Sequence, residues 1–258
     1  MCRVEMIAHR GASYDAPENT LAAVRLAWEQ GADAVEIDCR LTADGQIVVI
    51  HDPDTRRTAK ESLQVHMHSL QDLQHLDVGR WKELAFCGEQ IPTLADVIRT
   101  MPTGGRLFIE VKCGVEIVTT LADLLGRAEK PVDRFVVISY DRQVVAKIKQ
   151  RLAGVTALLV CRCEPRGARV GTAAAIEDLI EIARCDRLDG LDLDARGLLD
   201  AETTAALTAA GLCCFSWTVD EPARARQLIT AGVQGISTNR PGWLRGQLRG
   251  QPPSPAVD

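Results

Sequence analysis

Three carboxylates alternate with apolar residues in two short runs of the chain, a pattern typical of a metal site. Glu36 and Asp38 lie in the first run, and Glu110 and Lys112 end the second. Because side chains alternate between the two faces of a strand, each charged set shares one face. Ionised carboxylates that meet would repel one another by about 4 kcal/mol per pair at ~4 Å. We therefore expect one divalent cation, and the all-oxygen ligand set favours Mg2+ or Ca2+.

The alternative for these carboxylates is a set of solvated strand ends that pair with Arg10 and Lys112. A single carboxylate–cation pair would be consistent with that structural interpretation. The pattern recurs on independent strands, and this recurrence favours a functional site.

Two histidines follow apolar runs in the same way and predict acid–base chemistry. His9 ends the first run of the chain, and His51 follows a short extended piece. One could deprotonate a nucleophile while the other protonates a leaving oxygen. The remaining three histidines lie in a polar stretch, where a solvated surface is the expected setting: His66, His68 and His75.

Short apolar runs alternate with helical patterns along the chain, and this alternation of predicted strands and helices places the charged residues at strand ends. Strands separated by helices of 10–15 residues predict a parallel sheet. About eight such units in 258 residues favour an α/β fold of the (β/α)8 TIM-barrel type, with active-site residues at the carboxyl ends of the strands. The predicted strands are 4–8, 34–39, 106–111, 135–139, 157–161, 190–193, 212–217 and 234–237.

The polar stretch 53–90 interrupts the rhythm and is predicted to be a small insertion after the second strand. Apart from it, residues 1–249 are expected to form a single domain. Residues 250–258 contain three prolines and no periodicity, which predicts a disordered tail.

Composition excludes several classes of protein. The net charge of −5 comes without a basic patch, so no nucleic-acid partner is expected. No signal peptide or membrane span is predicted. The nine cysteines have irregular spacing, which indicates reduced thiols and a cytoplasmic location. A zinc site at Cys161 and Cys163 would lack a second ligand pair.

The charged residues also follow the order of a known signature, so that the chain resembles the glycerophosphodiester phosphodiesterase family. The similarity is strong from 9 to 112 and returns from 212 to 241. The matching segments are His9-Arg10-Gly11, Pro17-Glu18-Asn19-Thr20, Glu36-Ile37-Asp38, His51-Asp52-Pro53, the stretch 88–94, Glu110-Val111-Lys112 and Trp217-Thr218-Val219.

The resemblance implies metal-dependent hydrolysis of a small-molecule glycerophosphodiester to sn-glycerol 3-phosphate and an alcohol. It implies a role for each matched residue. The metal ligands would be Glu36, Asp38 and Glu110, and the general acid and base would be His9 and His51. Arg10 and Lys112 would bind the phosphate, and Glu18 and Asn19 would order the first loop or touch the metal shell. Trp217 would form an apolar wall for the glycerol or leaving group, with core packing as the alternative.

The chain departs from the family pattern at two positions. Asp220 stands where members often have asparagine, and Asn239 where they often have aspartate. We expect neither residue to touch the predicted metal or acid–base groups, so the departures should affect substrate preference more than the chemistry.

Two other functions stay open: a related phosphodiesterase acting on lysophospholipids, and a catalytically silent barrel that binds a phosphate ligand. The sequence leaves several features undecided: the leaving alcohol, the choice between Mg2+ and Ca2+, the division of roles between the two histidines, the role of the insertion, and the oligomeric state.

Overall fold

Nine strands and nine helices of the computed structural model alternate along residues 4–162, 173–197 and 199–250, which are the residues it describes. The strands are β1 (Glu5–His9), β2 (Ala34–Leu41), β3 (Ile47–Val49), β4 (Arg106–Val111), β5 (Phe135–Ser139), β6 (Thr156–Cys161), β7 (Gly190–Asp194), β8 (Cys213–Trp217) and β9 (Gly235–Thr238). The helices are α1 (Leu21–Glu29), α2 (Leu70–Gln74), α3 (Leu94–Thr100), α4 (Val118–Arg127), α5 (Arg142–Arg151), α6 (Ala173–Cys185), α7 (Ala201–Ala209), α8 (Pro222–Ala231) and α9 (Pro241–Leu248). Cys163 and residues 251–258 of the predicted tail lie outside the described residues.

The sheet closes on itself. Its order is β1-β9-β8-β7-β6-β5-β4-β2, and β1 also pairs with β2. These eight strands are all parallel, whereas β3 extends the ribbon antiparallel to β2. The predicted (β/α)8 TIM barrel is therefore confirmed.

Two apolar layers stabilise the barrel, one on each face of the strands. The outer layer contains Val35, Ile37, Leu107 and Ile109 and packs against the helices. Inside the barrel, the Phe108 ring meets the edge of Phe215, with 5.2 Å between ring centroids. The other buried apolar side chains of this inner cluster, among the described residues, are Ile7, Ala34, Val136, Ile138, Leu158 and Val160. Since the helices cover one face of each strand, the residues that alternate with the outer layer must point into the barrel.

The stretch 53–90 lies between β3 and α3 and contains α2 with two short 3-10 turns, at Val65–Met67 and Leu84–Phe86. Its apolar residues around Val65 and Leu73 form a small cluster with Val48 and Ile50 at β3. A capping box at Thr93 and Asp96 then starts α3, from which the alternation of helices and barrel strands continues.

The loop after β1 approaches α1 closely, and Gly11 makes this approach possible. Its φ is +80°, and a Cβ there would lie 2.6 Å from the backbone carbon of Ala23. A larger residue would push the loop away from the helix. None of the helices in the described ranges has the length and apolar character needed to cross a lipid bilayer.

Candidate active site

The three predicted metal ligands meet at the carboxyl ends of two neighbouring strands. Asp38 on β2 is directly opposite Glu110 on β4 in the parallel register, and Glu36 lies two residues earlier on the same face. One oxygen from each carboxylate lies within 4.8 Å of the others. All three side chains are buried, with 2%, 0% and 8% exposure for Glu36, Asp38 and Glu110.

Two cations neutralise part of this cluster. Arg10 Nε lies 3.1 Å from Asp38 Oδ2, and Lys112 Nζ lies 3.3 Å from Asp38 Oδ1. Lys112 also donates to Glu110 Oε1 at 2.6 Å. Glu36 Oε2 accepts from the backbone N–H of Arg10 at 2.9 Å. The two cations predicted to bind phosphate are therefore already at the carboxylates.

Charge remains uncompensated at Glu36. Burial raises its pKa well above the usual range, and the charges of Asp38 and Glu110 raise it further. Burial also raises the pKa of Glu110. In the described part of the chain, Glu36 Oε1 and Asp38 Oδ1 are buried without a hydrogen-bond partner. Asp38 Oδ1 has the ion pair with Lys112, whereas Glu36 Oε1 has no polar partner among the described residues. This unpartnered oxygen and the missing positive charge fit a hard divalent cation bound by these three residues.

Asp38 behaves differently because the cations and an amide converge on it. Burial raises the pKa of its carboxyl, but Arg10 and Lys112 more than offset this and leave the pKa lowered. Asn19 Nδ2 donates to Asp38 Oδ2 at 2.8 Å, and the backbone N–H of Asp38 donates to Asn19 Oδ1 at 3.1 Å. Asn19 thus contacts a predicted metal ligand directly.

Backbone geometry in the first loop supports these contacts. Arg10 and Asn19 have positive φ values of 56° and 59°, a left-handed conformation that is uncommon for residues other than glycine. The backbone N–H of Asn19 donates to Arg10 O at 3.0 Å and closes the loop. The loop therefore presents both side chains to the carboxylates.

His9 lies at the end of β1 with its ring nitrogen on an amide. Its Nδ1 is 2.8 Å from Asn239 Oδ1. Burial, followed by the charge of Arg10, lowers the pKa of His9 to about 4. The ring is therefore neutral at physiological pH and able to accept a proton.

His51 follows β3, and its ring nitrogen Nδ1 forms a hydrogen bond with a carboxylate. Its Nδ1 is 2.6 Å from Asp52 Oδ1, and 30% of the side chain is exposed. Burial lowers the pKa of His51, while the hydrogen bond to Asp52 opposes that shift. The backbone is fixed by Arg40, whose Nε donates to His51 O at 2.9 Å.

Arg57 joins the two halves of the site, and sequence reasoning missed it. Its Nε donates to Asp52 Oδ2 at 2.6 Å, and its two terminal nitrogens donate to Glu18 at 2.7 and 2.8 Å. Glu18 also accepts from Arg10 Nη1 at 2.8 Å. Glu18 therefore orders the first loop through two arginines and lies outside the carboxylate cluster. For Arg57, the only signal in the sequence was the polar character of the insertion in which it lies.

Aromatic side chains form one wall of the barrel mouth. Trp217 meets Tyr140 edge to face with 5.8 Å between centroids, and Lys112 Nζ lies 5.6 Å from the Tyr140 centroid. Trp217 is half-buried and packs on the interior core, which is the alternative setting; its role as an apolar wall for the substrate stays a prediction. Its Nε1 donates to the backbone oxygen of Asp192 at 3.3 Å.

Asp192 is a buried acid that the sequence analysis overlooked. Burial raises its pKa well above the usual range, and the charge of Glu110 adds to this. Its Oδ1 is buried with no hydrogen-bond partner among the residues described. Asp192 and Asp194 alternate with leucines on β7, as Glu36 and Asp38 alternate with apolar residues on β2, so the signal was present in the sequence.

The expectation about the two departures from the family pattern needs correction. Asp220 and Asn239 bind each other, with Asn239 Nδ2 donating to Asp220 Oδ2 at 2.6 Å. Asn239 in turn contacts His9, which belongs to the predicted acid–base pair. The two positions are distant in sequence from His9, so their contact with it could not be read from the chain.

The histidines of the insertion lie apart from this site. His66 and His75 are exposed, and His75 Nδ1 lies 2.6 Å from the backbone oxygen of Gln71. His68 Nδ1 is likewise 2.9 Å from the backbone oxygen of Gln64. These contacts are local to the insertion.

Comparison with known proteins covers nearly the whole chain. The model of the glycerophosphoryl diester phosphodiesterase family matches residues 9–243. The glycerophosphodiester phosphodiesterase of Caldanaerobacter subterraneus subsp. tengcongensis is 31% identical over 95% of this chain and 97% of its own length. The protein YhdW of Bacillus subtilis, a candidate glycerophosphodiester phosphodiesterase by its name, is 33% identical over 93% of this chain and 96% of its own length.

Solved structures agree in fold. A phosphodiesterase of Oleispira antarctica, determined with the product sn-glycerol-3-phosphate, superposes with a TM-score of 0.83 at 25% identity. The match covers 95% of this chain and 96% of that one. With its closed barrel and the match over residues 9–243, the chain belongs to the glycerophosphoryl diester phosphodiesterase family and is an enzyme of that kind, a phosphoric diester hydrolase.

Proposed function

We propose that the enzyme hydrolyses a glycerophosphodiester to sn-glycerol 3-phosphate and an alcohol, using His9 and His51 as the acid–base pair. The observation that carries this proposal is the pairing of a neutral His9 with a carboxylate-bound His51 beside the acidic cluster. The product-bound structure of the Oleispira antarctica enzyme supports the glycerol 3-phosphate half of the substrate.

The acidic cluster is the proposed site of one divalent cation, Mg2+ or Ca2+, with Glu36, Asp38 and Glu110 as ligands. When bound, such an ion neutralises the negative charge that develops on the phosphate oxygens. Arg10 and Lys112 lie on Asp38 and would hold those oxygens, Arg10 with the paired geometry of a guanidinium.

The hydrogen-bond partners divide the roles of the two histidines. Asn239 Oδ1 can only accept, so His9 Nδ1 carries the proton and Nε2 of the neutral ring is free to take another. His51 donates through Nδ1 to the Asp52 carboxylate, and this bond opposes the lowering of the His51 pKa by burial. We assign His9 as general base and His51 as general acid.

The reaction then runs with a balanced transfer of protons. His9 Nε2 takes a proton from the attacking oxygen, which is water or the neighbouring glycerol hydroxyl. A new bond forms between that oxygen and phosphorus, and the bond from phosphorus to the leaving alcohol breaks. His51 Nε2 gives its proton to the departing oxygen. Attack by the glycerol hydroxyl leaves a cyclic phosphate. Water opens it in a second step, in which the now neutral His51 takes a proton from the water and His9 gives its proton to the ring oxygen that departs from phosphorus.

Release of glycerol 3-phosphate from glycerophosphocholine and glycerophosphoethanolamine tests the proposal in wild type, His9→Ala and His51→Ala. Each substitution should lower the rate by ~10²–10⁴-fold, with the thermal unfolding midpoint and metal affinity measured as controls for folding. His75→Ala, in the insertion, is a matched control and should retain wild-type turnover. Normal turnover in His9→Ala and His51→Ala would refute the acid–base assignment. Cleavage of lysophosphatidylcholine alone would instead identify a lysophospholipid phosphodiesterase.

A further inference from the structure

A chain of hydrogen bonds leads from Asp220 to His9 across the end of the barrel. Asp220 Oδ2 accepts from Asn239 Nδ2 at 2.6 Å. Asn239 Oδ1 lies 2.8 Å from His9 Nδ1 and 2.9 Å from Ser13 Oγ. Asp220 and Asn239 both lie outside the acidic cluster, and Asp220 has no part in the mechanism described above.

The acceptor capacity of Asp220 determines which way the amide of Asn239 points. A carboxylate can only accept hydrogen bonds, so the amide nitrogen of Asn239 must face it. The amide oxygen is then directed at His9. Asp220 Oδ1 is occupied by two further donors, Thr238 Oγ1 and the backbone N–H of Asn239, each at 2.8 Å. These bonds keep the carboxylate itself from turning.

We propose that Asp220 is a positioning residue that fixes the tautomer of His9 through the amide of Asn239. An oxygen acceptor at Nδ1 requires the proton on that nitrogen, which leaves Nε2 unprotonated in the neutral ring. This proposal rests on the base role of His9 in the proposed function. Asp220 acts at a distance of two hydrogen bonds from the ring.

Substitution of Asp220 by asparagine has a specific consequence. The amide oxygen of the new side chain can keep the bonds from Thr238 and the backbone N–H. Its amide nitrogen then meets Asn239 Nδ2, and two donors cannot face each other. Rotation of the Asn239 amide by 180° removes the conflict, and Ser13 Oγ can accept from the rotated nitrogen. His9 Nδ1 would then face a donor, and the ring proton would move to Nε2.

The reciprocal double variant should reverse this change. In D220N/N239D, the amide nitrogen at 220 donates to the carboxylate at 239, and that carboxylate accepts from His9 Nδ1. The proton returns to Nδ1 without either original side chain. A role of Asp220 limited to holding the end of β9 predicts no such rescue.

The test reads the tautomer of His9 directly from nitrogen–proton NMR correlations of protein labelled with 15N-histidine, together with glycerol 3-phosphate release. The His9 signal is assigned by its absence in His9→Ala. Asp220→Asn should shift the proton to Nε2 and lower kcat by about 10²-fold or more, as loss of a general base does. The double variant should restore the Nδ1-protonated form and most of the rate.

Two further variants keep the result interpretable. Thr238→Val removes one bond to Asp220 but leaves the Asn239 amide in place, and should keep the Nδ1-protonated ring. Asn239→Ala removes the acceptor and should abolish the single tautomer even if Asp220→Asn does not fold. The proposal is overturned if Asp220→Asn keeps the Nδ1 proton, or if activity falls with the tautomer unchanged and the double variant fails to recover. Full turnover in His9→Ala would contradict the base role alone, since the tautomer is read independently of activity.

Discussion

Glu36→Gln should make the metal-free enzyme more stable and at the same time abolish its stabilisation by a divalent cation. Glutamine keeps an oxygen for the backbone N–H of Arg10, which donates to Glu36 Oε2 at 2.9 Å. Its amide nitrogen takes the place of Glu36 Oε1, which is buried without a hydrogen-bond partner in the described part of the chain. The substitution therefore removes a charge with little change of shape.

The size of the effect follows from the spacing of the carboxylates. At the 4.8 Å limit that bounds their oxygens, a like-charged pair repels by about 3.5 kcal/mol with an effective dielectric constant of 20. Glu36 faces two such charges, Asp38 and Glu110, and Arg10 offsets roughly one of them. The gain in metal-free stability is therefore on the order of 3 kcal/mol at a pH where Glu36 is ionised.

The pH dependence has a definite sign. The pKa of Glu36 is raised above its ordinary value of 4.5 by burial, so the folded state binds the proton more tightly than the unfolded state. The contribution of Glu36 to the free energy of unfolding is fully present below pH 4.5 and is lost as pH rises through the raised pKa. Metal-free wild type should lose this contribution as pH rises through the raised pKa of Glu36, and Glu36→Gln, which has no carboxyl to titrate at this position, should lose less.

Urea unfolding in EDTA over a series of pH values from 4.5 upward, repeated with Mg2+ and with Ca2+, measures both effects. Asp44→Asn is a matched control, because it removes a carboxylate outside the acidic cluster. Cation binding should stabilise wild type and the control and leave Glu36→Gln unchanged. A metal-free Glu36→Gln that is less stable than wild type, or one that keeps the full cation response, would refute the reasoning.

Three further predictions concern separate parts of the enzyme. Arg57→Met should lower kcat/KM by about 10–100-fold, because Asp52 and Glu18 lose charge-assisted hydrogen bonds; steady-state kinetics measures this, and unchanged kinetics would contradict it. At saturating metal, the acid limb of kcat/KM should lie well below pH 6.5, since His9 has a pKa of about 4 and is neutral above it; a limb near 6.5 would exclude His9 as the group titrating there. Phe108→Ala should reduce the unfolding free energy by about 3–5 kcal/mol, measured with urea, and a loss under 1 kcal/mol would show that the barrel interior is not packed around this ring.

Much of the fold and of the carboxylate cluster could be predicted because strand alternation carries directional information. In the run around Glu36 and Asp38, apolar neighbours had to face the helices, which left the acids pointing inward. The predicted strand 106–111 has the bounds of β4, Arg106–Val111. Parallel pairing then brought Glu110 level with Asp38.

The contacts made to the site from distant parts of the chain could not be predicted in the same way. His9 and Asn239 are 230 residues apart in the chain, and their contact depends on β9 closing the barrel beside β1. Arg57 reaches Glu18 from the insertion, 39 residues away, where no strand periodicity indicates side-chain direction. Such contacts depend on barrel closure and loop conformation, which local sequence patterns do not encode.

Glycerol 3-phosphate release by the metal-stripped enzyme, before and after addition of Mg2+ or Ca2+, tests the central claim most directly. Glycerophosphocholine is the substrate, and Glu110→Gln is measured beside wild type. The expected result is no release in EDTA, restoration of wild-type activity by one of the two ions, and a much weaker response in Glu110→Gln. Full release in EDTA, or no release from glycerophosphodiesters with either ion, would contradict the account.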